Sequence, residues 1–345
     1  MGECGVVLPE GAEAPPTVAA AAWLIADLDT GAVLAAKEPH SRERPASLIK
    51  NLLAVVVIRE LSPDTKVVGT QEDADQEGSK VGIGPGGEYT VDQLLHALIM
   101  QSGNDAAWAL ARALGGVDVA LEKMNALAVE LGALDTRAAT PSGLDGPGMT
   151  TSAYDQSLIF RAAMAHEEFV AAASAESIEF PGYEDKAPFT LHNDSTLLGE
   201  YEGFLGGKTG FTSDARHTYA GAAERDGKRL AVVLMRGEKN PDSLSQQGTL
   251  LLDYGFDLAE AETKAVGELV NQPPEAQPKQ DSNPSSDTVR RPVTEAADSS
   301  STAPERSMFG NVGLPLVVLA GLAILAAMAL WVRRRRARLA RANRG

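Results

Sequence analysis

Residues Val312 to Val332 are all apolar, Gly or Pro, and the stretch before them, from Asn271 to about Gly310, is rich in Pro, Ser, Gln, Asp and Glu with almost no aliphatic side chains. The second stretch cannot bury enough apolar surface to offset its ordering entropy, which predicts a linker over 270–311. At 1.5 Å per residue the first stretch spans about 31 Å, the thickness of a bilayer's hydrocarbon core, which predicts a transmembrane helix over 312–332. Only the first 270 or so of the 345 residues are left to build a core, so one folded domain is expected, over 19–269, preceded by a tail over 1–18.

Arg333, Arg334, Arg335, Arg336, Arg338, Arg341 and Arg344 follow the apolar run with no acidic residue among them. The positive-inside rule then places this basic tail, 333–345, in the cytoplasm and the globular domain outside the cell, as a single-pass membrane protein. Seven of the 31 basic residues are these arginines; the remaining 24 face 47 acidic residues, which argues against nucleic acid as a partner. An outward-facing domain calls for an export signal, and Met1 to Pro16 has neither a basic start nor an apolar run. Such a signal is expected upstream, or the outward topology fails. The single cysteine, Cys4, cannot form an internal disulfide.

Within the domain, Trp23–Leu28 and Ala32–Ala35 around Asp29-Thr30-Gly31 read as two strands and a turn. Leu48 to Ile58 is apolar nearly all round and too short to span a bilayer, so a core helix is expected, with Ser47 at its start. Thr90-Val91-Asp92-Gln93 has the form of a capping box, opening a helix that ends just before Ser102. Further helices are expected from about Asp105 to Leu114, from about Val117 to Leu131, and from Ser152 onward. Gly206–Phe211, Thr218–Ala223 and Leu230–Met235 read as strands, the last two joined by Asp226-Gly227 in a hairpin. Gly82-Ile83-Gly84-Pro85-Gly86-Gly87 matches G-x-G-x-x-G, but Pro85 and the lack of a βαβ setting make it a turn, not a nucleotide site. His40, His96, His166, His192 and His217 lack metal spacing, so neither metal nor cofactor is implied.

Three short strings carry the chemistry: Ser47-Leu48-Ile49-Lys50, Ser102-Gly103-Asn104 and Lys208-Thr209-Gly210. A serine hydroxyl needs a neighbouring base, and residues three apart on a helix share a face, so Lys50 is placed beside Ser47. Burial and nearby positive charge would favour its neutral amine. Ser102 and Asn104 offer a hydroxyl and an amide for proton relay and substrate binding. Lys208 and Thr209 offer a cation and a hydroxyl for a carboxylate, while Gly210 would let a substrate backbone lie against its strand.

In these motifs and their order the chain resembles the low-molecular-mass penicillin-binding proteins, the serine-type D-alanyl-D-alanine carboxypeptidases of the β-lactamase/transpeptidase-like superfamily. The likeness covers roughly Ala19 to Leu258 and extends to Pro45-Ala46, Asp105-Ala106, Pro141-Ser142-Gly143-Leu144 and Gly207 to Thr212. It implies an α+β fold, an antiparallel sheet flanked by helices with an inserted helical subdomain. It also implies Ser47 as the acylated nucleophile, Lys50 as its base, and Ser102 and Asn104 as the second cleft wall. Lys208, Thr209 and Gly210 would form the third wall, and the N–H groups of Ser47 and Phe211 the oxyanion hole. The substrate implied is a peptidoglycan stem peptide ending in D-Ala-D-Ala, with β-lactams as inhibitors.

Arg216 departs from the pattern, since the family usually has Gly there; a solvent-facing turn or a role in binding the substrate's carboxylate are the two readings. The β-rich second domain of many members has no counterpart in the sequence, where the linker and apolar span stand instead. A β-lactamase is a competing reading, but the second motif is Ser-Gly-Asn, not Ser-Asp-Asn, and no Glu-x-x-Leu-Asn string follows the helical insert. A non-catalytic cell-wall-binding scaffold is a third, opposed by the intact Ser47 and Lys50.

Overall fold

A computed structural model describes residues 4–270 of the chain. The transmembrane helix, the basic tail and all but the first residue of the linker inferred above lie outside the described residues. Among the described residues no helix is long and apolar enough to cross a membrane.

The chain opens with β1 (Val6–Val7), β2 (Ala20–Asp27) and β3 (Ala32–Lys37). Asp27 Oδ1 accepts hydrogen bonds from the N–H groups of Asp29 (2.9 Å) and Thr30 (2.7 Å), and Gly31 takes φ +80°, which closes the β2–β3 turn. The segment read as a tail supplies β1, which pairs with β3 through Val6 opposite Lys37 and Val7 opposite Ala36. A short 3₁₀ turn, Ala46–Leu48, leads into α1 (Ile49–Glu60), whose residues Ile49 to Val57 are all buried. This is the all-round apolar helix expected from the sequence.

The helical insert follows. β4 (Lys66–Val68) and β5 (Glu88–Thr90) form a two-stranded ribbon around the short α2 (Gln71–Ala74). In α3 (Val91–Met100) the capping box is reciprocal: Thr90 Oγ1 accepts from the Gln93 N–H at 3.1 Å, and Gln93 Oε1 from the Thr90 N–H at 3.0 Å. Then come α4 (Asn104–Ala113), α5 (Val117–Glu130), α6 (Ala153–Ala163) and α7 (Glu167–Ser174), followed by the ribbon β6 (Ser177–Phe180) and β7 (Phe189–His192).

The chain returns to the main sheet with β8 (Phe204–Thr212), β9 (Arg216–Arg225) and β10 (Lys228–Gly237), then α8 (Leu244–Glu260) and β11 (Gly267–Glu268). Asp226 and Gly227 both take positive φ, +51° and +75°, the conformation that a two-residue hairpin needs. The main sheet runs β1-β3-β2-β10-β9-β8, with β11 also on β3, and every pairing is antiparallel.

Alternation along the strands gives that sheet two buried faces. Ala22, Leu24 and Ala26 of β2, with Ala231, Val233 and Met235 of β10, pack into the core shared with α1 and the insert. Trp23 and Ile25, with Leu230, Val232 and Leu234, point the other way, toward Leu244, Leu251, Leu252 and Leu258 of α8. The sheet is thus a rigid wall between two helical layers, and β8 is its edge strand on the side of the insert. That edge, the start of α1 and the α3–α4 junction enclose a cleft of about 860 Å³.

Candidate active site

All three sequence strings converge on this cleft, whose lining includes Ser47, Ser102, Asn104, Lys208, Thr209, Gly210 and Phe211. Ser47 lies in the 3₁₀ turn ahead of α1, one turn before Lys50. The preceding Ala46 has φ +47°, a left-handed conformation that costs a non-glycine residue about 1–2 kcal/mol. Its surroundings hold it there. The Thr218 hydroxyl donates to the Pro45 carbonyl at 3.0 Å, tying β9 to the turn. Gly143, at φ +90°, presses so close that a Cβ there would stand 2.0 Å from the Ala46 carbonyl oxygen. A Cβ at Gly210 would meet Thr218 Oγ1 at 2.5 Å and the Ser47 backbone nitrogen at 2.8 Å. Gly210 is therefore required by the approach of β8 to the Ser47 backbone, a closer constraint than the substrate clearance expected from sequence.

Lys50 is fully buried, and its Nζ lies 3.0 Å from Ser47 Oγ and 2.8 Å from Asn104 Oδ1, with the Ser142 carbonyl as a third partner. Asn104 is held in register because its Nδ2 donates to the Glu77 carbonyl at 2.5 Å. Burial, reinforced by the charge of Lys208, drives the Lys50 amine well below the ordinary lysine value, against a smaller opposing pull from Asp105. A neutral amine has two N–H donors and one lone pair. Asn104 Oδ1 and the Ser142 carbonyl can only accept, so in that form they take both donors and leave the lone pair facing the Ser47 hydroxyl.

Asn104 is the first residue of α4, one residue ahead of the helix start expected from sequence, and Gly103 is the N-cap. Ser102 sits at φ +60° with its Oγ buried and without a hydrogen-bond partner among the described residues. Lys208 is buried, and its ammonium donates to the Thr209 carbonyl at 2.8 Å. Burial lowers its pKa from 10.5 to about 7, with Asp194 pulling it back up. Phe211 is 52% exposed at the cleft rim, its ring 4.6 Å from that of His217.

Arg216 turns out to be the turn residue. Its guanidinium donates to both carboxylate oxygens of Glu238, at 2.7 and 2.8 Å, and so is already engaged. Its φ of +59° explains why a glycine suits the position. The glycine string 82–87 is likewise a turn: the N–H groups of Val81, Gly82 and Ile83 all donate to the Asp105 carboxylate at 2.9 to 3.1 Å.

The sequence profile of the D-alanyl-D-alanine carboxypeptidase family matches residues 10–239. This chain belongs to that family. The D-alanyl-D-alanine carboxypeptidase DacB2 of Mycobacterium tuberculosis is 46% identical over 257 residues, 73% of this chain and 87% of the relative. Among solved structures, a D-alanyl-D-alanine carboxypeptidase from M. tuberculosis superposes with a TM-score of 0.70 at 44% identity, covering 73% of this chain and 96% of that one. The Streptomyces K15 DD-transpeptidase gives 0.66 at 27% identity, over 71% of this chain and 100% of that one. The carboxypeptidase family is one of serine hydrolases, and the penicillin-binding fold expected from the motifs is present. The Ser142 carbonyl is the site group whose role sequence reasoning did not assign, although Pro141-Ser142-Gly143-Leu144 stands out as a string.

Proposed function

We propose that this protein releases the terminal D-alanine from peptidoglycan stem peptides through an acyl-enzyme on Ser47. The observation that carries this is the arrangement around Lys50: a buried amine 3.0 Å from the Ser47 hydroxyl whose two other partners, Asn104 Oδ1 and the Ser142 carbonyl, are both acceptors. As Ser47 Oγ attacks the scissile carbonyl, its proton passes to Lys50 Nζ and the Oγ–C bond forms. The N–H groups of Ser47 and Phe211 receive the oxyanion. The C–N bond then breaks, and the departing D-alanine amine leaves with a proton returned from Lys50 by way of the Ser102 hydroxyl. Water repeats the sequence on the ester and frees Ser47. Lys208 and Thr209 attract the substrate's terminal carboxylate, and Asn104 holds both the lysine and the peptide backbone.

A β-lactam would acylate the same serine, and its ring would keep the leaving nitrogen attached. We infer further that the domain works outside the cell, tethered by the apolar run 312–332, with the arginines after it held inside. Incubation of the protein with a peptide ending in D-Ala-D-Ala should release D-alanine, and intact-mass measurement after penicillin treatment should show one adduct that Ser47→Ala abolishes. An adduct on Ser47→Ala would place the nucleophile elsewhere.

A further inference from the structure

The cleft is lined by charged side chains of both signs, Asp194 with Lys208 and Lys239. At one end Phe211 of β8 lies opposite His217 in the β8–β9 register, and Lys239 lines the same end. At the other end Asn193 Nδ2 donates to the Ala175 carbonyl at 2.9 Å and the Ala173 carbonyl at 3.3 Å, and Ala173 is the residue against which Gly206 of β8 packs. Next in the chain is Asp194, the single carboxylate among the described residues that line the cleft. Its backbone is fixed: the Asp194 N–H donates to the Met100 carbonyl at 2.9 Å, and the Ser195 N–H to Asn193 Oδ1 at 2.9 Å. Its carboxylate makes no hydrogen bond or ion pair with any described residue, and Lys208, which feels its charge, donates to a backbone carbonyl instead.

The length of β8 sets these ends against the substrate. Ser47 approaches β8 at Gly210. From Gly210 to the rim at Phe211 and Thr212 there is room for one residue and its carboxylate, the part an exopeptidase removes. From Gly210 back to Gly206 the strand covers about 13 Å, which takes the acyl donor and the residue before it. A lysine-like side chain on that residue, five bonds of about 1.5 Å, reaches about 6 Å further.

We propose that Asp194 is a substrate-specificity residue, whose carboxylate receives an ammonium group carried by the side chain one residue upstream of the acyl donor. This rests on the carboxypeptidase reading above. The preferred substrate is then a stem peptide with a free amine on that side chain, aligned by its ammonium at Asp194 and by its carboxylate beyond Gly210, drawn there by the charge of Lys208.

The test compares two peptides, Nα-acetyl-L-Lys-D-Ala-D-Ala with the lysine amine free and the same peptide with that amine acetylated, using the full-length protein. The free amine should be favoured in kcat/KM by about five- to tenfold, the contribution of one partly screened ion pair. Asp194→Asn should bring the ratio to about one, Asp194→Glu should keep part of it, and added salt should lower it in the wild type. Equal cleavage of the two peptides by the wild type overturns the proposal, as does Asp194→Asn lowering both equally, which would mean that Asp194 acts only through Lys208. Release of D-alanine from neither peptide would sink the activity itself and the proposal with it.

Discussion

Lys208→Met should make the protein more stable and a poorer enzyme, and both effects should follow pH in a defined direction. Lys208 is 3% exposed, and its amine is lowered from 10.5 to about 7. In the unfolded chain the amine holds its proton up to about pH 10. Between about pH 10 and 7 the unfolded state therefore binds a proton that the folded state does not, so stability falls as pH falls across that window, and the full cost is present below about 7. The shift from 10.5 to about 7, at 1.36 kcal/mol per unit, bounds this cost at about 5 kcal/mol. Methionine keeps the apolar stem and removes the amine. The expected gain is a few kcal/mol at about pH 6, shrinking toward zero near pH 10, read as the urea midpoint of each protein across that range. Catalysis should move oppositely, because the carboxylate-attracting charge exists only below about pH 7 in the free enzyme. Wild-type KM should rise above that pH, and the variant's KM should be high throughout. A variant that is less stable at pH 6, or whose stability difference from wild type does not change with pH, would refute the argument that the site holds this amine at a cost in folding free energy.

Lys50→Arg should fold but lose penicillin acylation by several orders of magnitude, since a guanidinium cannot accept the serine proton; stopped-flow acylation near wild-type rates would move the base role to Ser102. Gly210→Ala should remain folded by circular dichroism yet acylate at least about a hundredfold more slowly, because its Cβ would displace the Ser47 backbone nitrogen from 2.8 Å; normal acylation would show that the turn tolerates the shift. In spheroplasts, external protease should cut between Asn271 and Gly310 and release a penicillin-binding fragment, whereas a fragment accessible only after lysis would reverse the proposed topology.

How much of this was legible in sequence depended on whether the signal was local. The reciprocal capping box at Thr90, the Asp226-Gly227 hairpin and the all-round apolar α1 are decided by neighbouring residues, and the structure has them where the patterns stand. Helices α2 and α8 carry the same local signal, reciprocal capping boxes from Thr70 to Asp73 and from Ser243 to Gln246. The ribbon β6–β7 has only four residues in each strand and takes its partner from tertiary pairing, so no local pattern marks it. The same holds for β1 and β11, two residues each, which are strands only because β3 presents a free edge.

The site divides along the same line. Side-chain chemistry announces itself, so Ser47, Lys50, Ser102, Asn104 and Lys208 could be named from three strings. Burial and the charge of Lys208 lower the Lys50 amine, whereas its orientation depends partly on a backbone carbonyl, a group that every residue in the chain has. With Asn104 alone as acceptor, a neutral amine could still turn its second N–H toward Ser47, and the serine would face a donor. The Ser142 carbonyl takes the second N–H of the neutral amine and so fixes the lone pair on the hydroxyl. The residue after that carbonyl, Gly143, turns left-handed close against the Ala46 carbonyl, and Ala46, itself left-handed, leads into Ser47. The surroundings of the Lys50 amine therefore depend on two left-handed turns pressed together, and the sequence string holds only the side chains that those turns aim.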